Sequence, residues 1–211
     1  MKSAKNRQLS KQFLPVLNRR KKNTGILALY TQAWHYLVET RVYIFSIVAL
    51  FIASILFAFS FPELFTQFDE ILREIIDETE GLSAFGLIAY IFSNNFQSSL
   101  SVMLFGIAFG LFPIGATILN GTLLGYVLHL SWGVSGISDF WRLLPHGIFE
   151  LPAVFISFGL GIRLGSFVFA KKKMASLAYH LYNSLLAFVL IVLPLLIIAA
   201  IIEGTLIIVS F

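Results

Sequence analysis

The stretch VYIFSIVALFIASILFAFSF, Val42 to Phe61, decides the fold class. It holds no charged side chain over 20 residues. As a helix rising 1.5 Å per residue it reaches about 30 Å, the thickness of a bilayer's hydrocarbon core. The whole chain reads the same way. Hydrophobic residues make up 58% and charged ones 12%, with a mean hydropathy of +0.86, whereas soluble domains run to about 45–50% and about 25%. The expected fold is all-α, a polytopic transmembrane helical bundle. The 211 residues suffice for a bundle but not for a bundle plus a sizeable soluble domain. With no cysteine, a disulfide framework and thiolate chemistry are excluded.

Upstream, the segment before Ile26 is rich in Lys and Arg and has no acid. It reads as a basic tail held near anionic headgroups. Basic residues crowded into one tail rather than spread over a folded face argue against nucleic-acid binding. From Ile26 to Arg41, Ile26, Leu29, Tyr30, Ala33, Trp34 and Leu37 share one helical face, which suits an in-plane helix at the membrane interface. Residues 1–41 are thus a tail and interfacial helix, and 42–211 the membrane domain.

Downstream, residues 62–83 carry seven acids against Arg73, with an apolar stripe that predicts an external acidic amphipathic helix over about 63–79. Residues 84–131 carry no charge, and further apolar runs cover about 145–170 and 179–210. Nine Lys/Arg lie in residues 1–41 and three at Lys171, Lys172 and Lys173, against Arg73 and Arg142 on the other side. Positive charge marks the cytoplasmic face, and keeping both basic clusters there requires 84–131 to cross twice. A split near Pro113 gives spans at about 97–112 and 114–131. About five spans are expected in a cell membrane, with the N-terminus cytoplasmic and the C-terminus external.

Polar groups inside the membrane are the candidate site, because each is costly there. They are His146, Glu150, His129, Asn120 and Arg163. In Leu144-Pro145-His146-Gly147-Ile148-Phe149-Glu150-Leu151-Pro152-Ala153, Pro145 suits the first position of a helix. His146 and Glu150 then share a face four residues apart, while Pro152 leaves the Ile148 carbonyl without its helical donor. His129 falls at the same expected depth. Three readings are open: a structural network, a polar lining for a solute, proton or lipid path, and a metal site of two histidines and a carboxylate. The last lacks any HExxH spacing, so no metal is expected. Gly106 and Gly110, Gly121 and Gly125, and Gly161 and Gly165 are four apart, a spacing that lets helices approach within the chain or between copies. No nucleophile elbow, P-loop or dinucleotide fingerprint is present, so neither enzymatic activity nor a cofactor is expected.

Tyr36 to Arg41, a span closing in Phe61-Pro62, Asn94-Asn95, the Gly/Phe-rich run with Asn120-Gly121, and the Pro-His-Gly…Glu segment through Gly161-Ile162-Arg163-Leu164-Gly165 together resemble the stage II sporulation protein M family. The resemblance implies a five-span protein that, in sporulating bacteria, partners cell-wall hydrolases during engulfment; relatives also occur without sporulation. It implies no catalytic residue. The expected role is a non-enzymatic scaffold in envelope remodelling, contacting the bilayer, a membrane or envelope protein, or a second copy. The alternative is a transporter or channel.

Overall fold

The computed structural model describes residues 25–135 and 140–209, without the side chains at 84, 134–135, 140–149 and 203–209. Its elements are α1 (Ile26–Ser60), a 3₁₀ turn (Pro62–Phe65), α2 (Phe68–Thr79), α3 (Ala84–Phe105), α4 (Leu111–Ser135), α5 (Phe140–Gly165), a 3₁₀ turn (Ser166–Phe169), α6 (Lys173–Ala187) and α7 (Leu193–Val209). No strand occurs among the described residues.

Five segments run between a basic end, where α1 begins, and an acidic end bearing α2. Their directions follow from their contacts. Gly121 and Gly125 of α4 meet Phe51 and Ile55 of α1, and His129 meets Phe59, so α1 and α4 are parallel. Gly159, Phe155 and Arg163 of α5 meet Ile44, Phe51 and Tyr43, so α5 returns. α3 runs with α5, pairing Ser99 with Ser157 and Met103 with Gly161. α6 and α7 leave again from the basic end, joined by a π segment, Phe188–Val192. Pro194 follows it; lacking an N–H, proline breaks the regular i→i−4 ladder, and a π turn accommodates such a defect. The core gathers Ala33, Tyr36, Leu37, Met103, Leu160 and Phe188.

Four expectations are corrected. The interfacial helix and the first span form one helix of 35 residues. Glu39 and Arg41 interrupt the apolar run but are exposed, while Ala33, Tyr36, Leu37 and Thr40 on the same turns are buried, so the packed face continues unbroken. The span expected at 97–112 is instead α3, 22 residues from Ala84 to Phe105, about 33 Å long. Its start is capped by the Ser83 hydroxyl, which accepts from the Gly86 amide at 3.2 Å. The chain turns over residues 106–110, where Phe109 (φ 58°) and Gly110 (φ 71°) are left-handed, a conformation natural only for the glycine. Pro145, expected at the first helical position, lies inside α5, which begins at Phe140. Proline within a membrane helix is tolerated where neighbours re-satisfy the freed carbonyl. The acidic helix splits into the turn at Pro62–Phe65 and α2.

Candidate functional site

The intramembrane polar residues take separate partners. At the acidic end His129 Nδ1 lies 3.0 Å from the Phe59 carbonyl, which accepts its proton. The ring stands edge-on to Phe59, with centroids 5.5 Å apart. Glu150, half-buried, is hydrogen-bonded by the Asn95 side chain of α3. Arg163 directs Nη1 toward the Tyr43 hydroxyl at 3.5 Å and places its guanidinium 5.5 Å from that ring's centroid. Its buried Nε finds no hydrogen-bond partner among the described residues. Asn120 Nδ2 donates to the Ala116 carbonyl one turn back, 2.8 Å. The pairing expected of His146 with Glu150 lies outside the described residues. A site built from two histidines and a carboxylate gains nothing from the described pair, since His129 and Glu150 have different partners on different helices.

Two polar constellations escape a reading based on apparent depth alone. One sits in the middle, where the Ser157 hydroxyl donates to the Ser99 carbonyl at 2.7 Å, binding α5 to α3. The other is at the basic end. The Tyr36 hydroxyl lies 3.0 Å from His180 Nδ1 and 3.4 Å from Ser184 Oγ. Gln32 Nε2 donates to Asn183 Oδ1 at 2.8 Å, and Asn183 Nδ2 to the Tyr179 carbonyl at 2.7 Å. His180, Asn183 and Ser184 are all buried and stand at offsets 0, 3 and 4, one helical face. That spacing was the available signal. For Asn95 it was an amide within an uncharged run.

The glycine pairs bring backbones together within the chain. A β-carbon on Gly121 would come within 2.7 Å of Ser54 Cβ, and one on Gly161 within 2.7 Å of Pro113 Cγ. One on Gly125 would strike the Ile55 backbone, one on Gly106 that of Gly161, and one on Gly165 that of Gly106 and Gly110. Helices α1, α3, α4 and α5 are thus pressed together through glycine. Gly110 also owes its place to its positive φ.

At the acidic end α2 is tethered at few points. Phe68 is buried, the Tyr126 hydroxyl donates to Asp69 Oδ1 at 2.8 Å, and the Tyr90 hydroxyl to Glu78 Oε2 at 2.7 Å. Beyond these, Ile71, Ile75 and Ile76 are exposed.

Four of the helices, over Ile26–Ser60, Leu111–Gly133, Glu150–Phe169 and Lys173–Ile202, are long and apolar enough to cross a bilayer. With polar residues bound by other helices at several depths, they define a polytopic α-helical membrane protein. The family model described as Stage II sporulation protein M matches residues 44–206. The chain belongs to that family. No curated protein and no solved structure matches it.

Proposed function

We propose that this protein is a non-enzymatic membrane scaffold. It holds the basic end in the cytoplasm and presents α2 on the outer face to an envelope protein. The observation that carries this reading is α2 itself. It is anchored by Phe68, Asp69 and Glu78, yet Ile71, Ile75 and Ile76 stand exposed among Glu70, Glu74 and Asp77. An apolar stripe between carboxylates fits a basic amphipathic segment in polarity and charge. The same carboxylates make it a poor match for anionic headgroups. The rival reading, a transport path through the intramembrane polar residues, loses support from their separate partners.

A photo-crosslinking residue at Ile75 in intact membranes tests the role. A discrete protein adduct mapping to a basic amphipathic segment is expected; adducts with lipid alone overturn it. The orientation rests on the basic clusters. A cysteine beside Asp77 should react with an impermeant thiol reagent in intact cells, and one beside Lys172 should react only after lysis. Labelling of the Lys172 site in intact cells overturns the orientation.

A further inference from the structure

α3 packs along α5 and α7 inside the bundle, yet it is not among the helices apolar enough to cross a bilayer. The cause is a polar arc. At 100° per residue, Asn94, Gln97, Ser98 and Ser101, at offsets 0, 3, 4 and 7, fall within an arc of about 100°. Asn95 and Ser99 fall outside the arc and are used by Glu150 and Ser157. The arc itself faces outward. Asn94, Gln97 and Ser98 are exposed and Ser101 half-buried, and none of the four has a hydrogen-bond partner among the described residues. Ser98 and Ser101 line one side of a cavity of about 680 Å³ whose other side is α4, with Asn120. Exposed Phe105, Phe112 and Leu119 flank it, so the polar groups lie within an apolar belt. Hydrocarbon offers them no partner, and unsatisfied amides and hydroxyls are costly there.

We infer that this arc is the seam of a homodimer, with α3 of one copy alongside α3 of the other. At a twofold axis each residue meets its own counterpart. Only side chains that donate and accept at once can then pair, and like charges would repel. The carboxamides of Asn94 and Gln97 and the hydroxyls of Ser98 and Ser101 meet that condition, and α3 carries no charged residue. A seam with a different protein imposes no such self-complementarity. A buried asparagine at a helix seam also fixes register and oligomer state. The glycine pairs do not compete for this role, because the chain's own backbone fills the space beside them. The inference is independent of the scaffold reading, which rests on α2.

The chain lacks cysteine, so single substitutions report directly. Asn94→Cys and Gln97→Cys, oxidised in native membranes, should each give a disulfide-linked dimer of this chain. Phe45→Cys, exposed on α1, should not. The unsubstituted protein in mild detergent should have twice the chain mass, and Asn94→Leu with Gln97→Leu should halve it while leaving a folded monomer. If that variant fails to fold, the cysteine pattern decides. The proposal is overturned by a monomeric unsubstituted protein, by a cysteine at position 94 that stays uncrosslinked and reacts with an impermeant thiol reagent (a watered path), or by crosslinks to another protein alone.

Discussion

The glycine-lined contacts of α1, α4 and α5 and the polar arc of α3 are both built from residues that gain little by facing lipid. They end differently. At Gly121, Gly125 and Gly159 the missing side chain is replaced by the neighbouring helix, near enough that a β-carbon would meet Ser54, Ile55 or Ile44. Asn94, Gln97 and Ser98 are exposed, with no hydrogen-bond partner among the described residues. What a small or polar residue does in a membrane depends on whether another backbone occupies the space beside it. The first region is a finished interior; the second is left exposed.

Filling the glycine contacts should have the largest effect. Overpacking a core costs typically about 1–3 kcal/mol. Gly125→Leu should exceed that range, because the obstacle is the Ile55 backbone, which no rotamer change relieves. Detergent gel filtration should show little monodisperse protein. A well-folded variant of lower oligomeric mass would instead move this contact to a subunit seam and erase the contrast.

Next come the polar ties between helices. Glu150→Ala removes the acceptor from Asn95 and should lower stability by about 0.6–2 kcal/mol, the range for interhelical bonds in membranes. Glu150→Gln keeps shape and hydrogen bonding and should restore most of that. Equal losses in both variants would show that the charge matters and not the bond. Tyr36→Phe keeps a buried ring but removes the hydroxyl shared by His180 and Ser184. A loss of about 1 kcal/mol is expected, and a double-mutant cycle with His180→Ala should show it to be largely coupled.

The smallest stability effect belongs to α2. Ile75→Asp with Ile76→Asp changes only exposed positions, so stability should stay within about 0.5 kcal/mol while crosslinking to a partner is lost. Phe68→Asp buries a charge and should destabilise the protein measurably. If the isoleucine variant melts lower as well, the stripe belongs to the fold.

Much of the fold was legible because the bilayer selects on properties read along the chain. Val42–Phe61 had to be helical and buried in lipid, and the acids of 63–80 had to lie outside it. Helix bounds were less legible, because a polar residue need not end a membrane helix. Ser93-Asn94-Asn95 lies inside α3, with Asn95 turned to Glu150. Glu39 and Arg41 lie inside α1, on its exposed face. The candidate site was less legible: His129, Asn120, Glu150 and Arg163 stood out as polar groups in apolar runs, but nothing along the chain matched them with Phe59, Ala116, Asn95 and Tyr43.

The sequence by itself determined that this is a helical membrane protein with one basic and one acidic end, since transfer into hydrocarbon depends on composition over some twenty residues. Only the tertiary structure decided which glycines are filled, which polar groups are paired, and which face of α3 is left open. Those outcomes depend on contacts between residues far apart in the chain, such as Tyr36 with His180 and Ser99 with Ser157. Spacing along one helix states which residues share a face, but not what the fold brings against it.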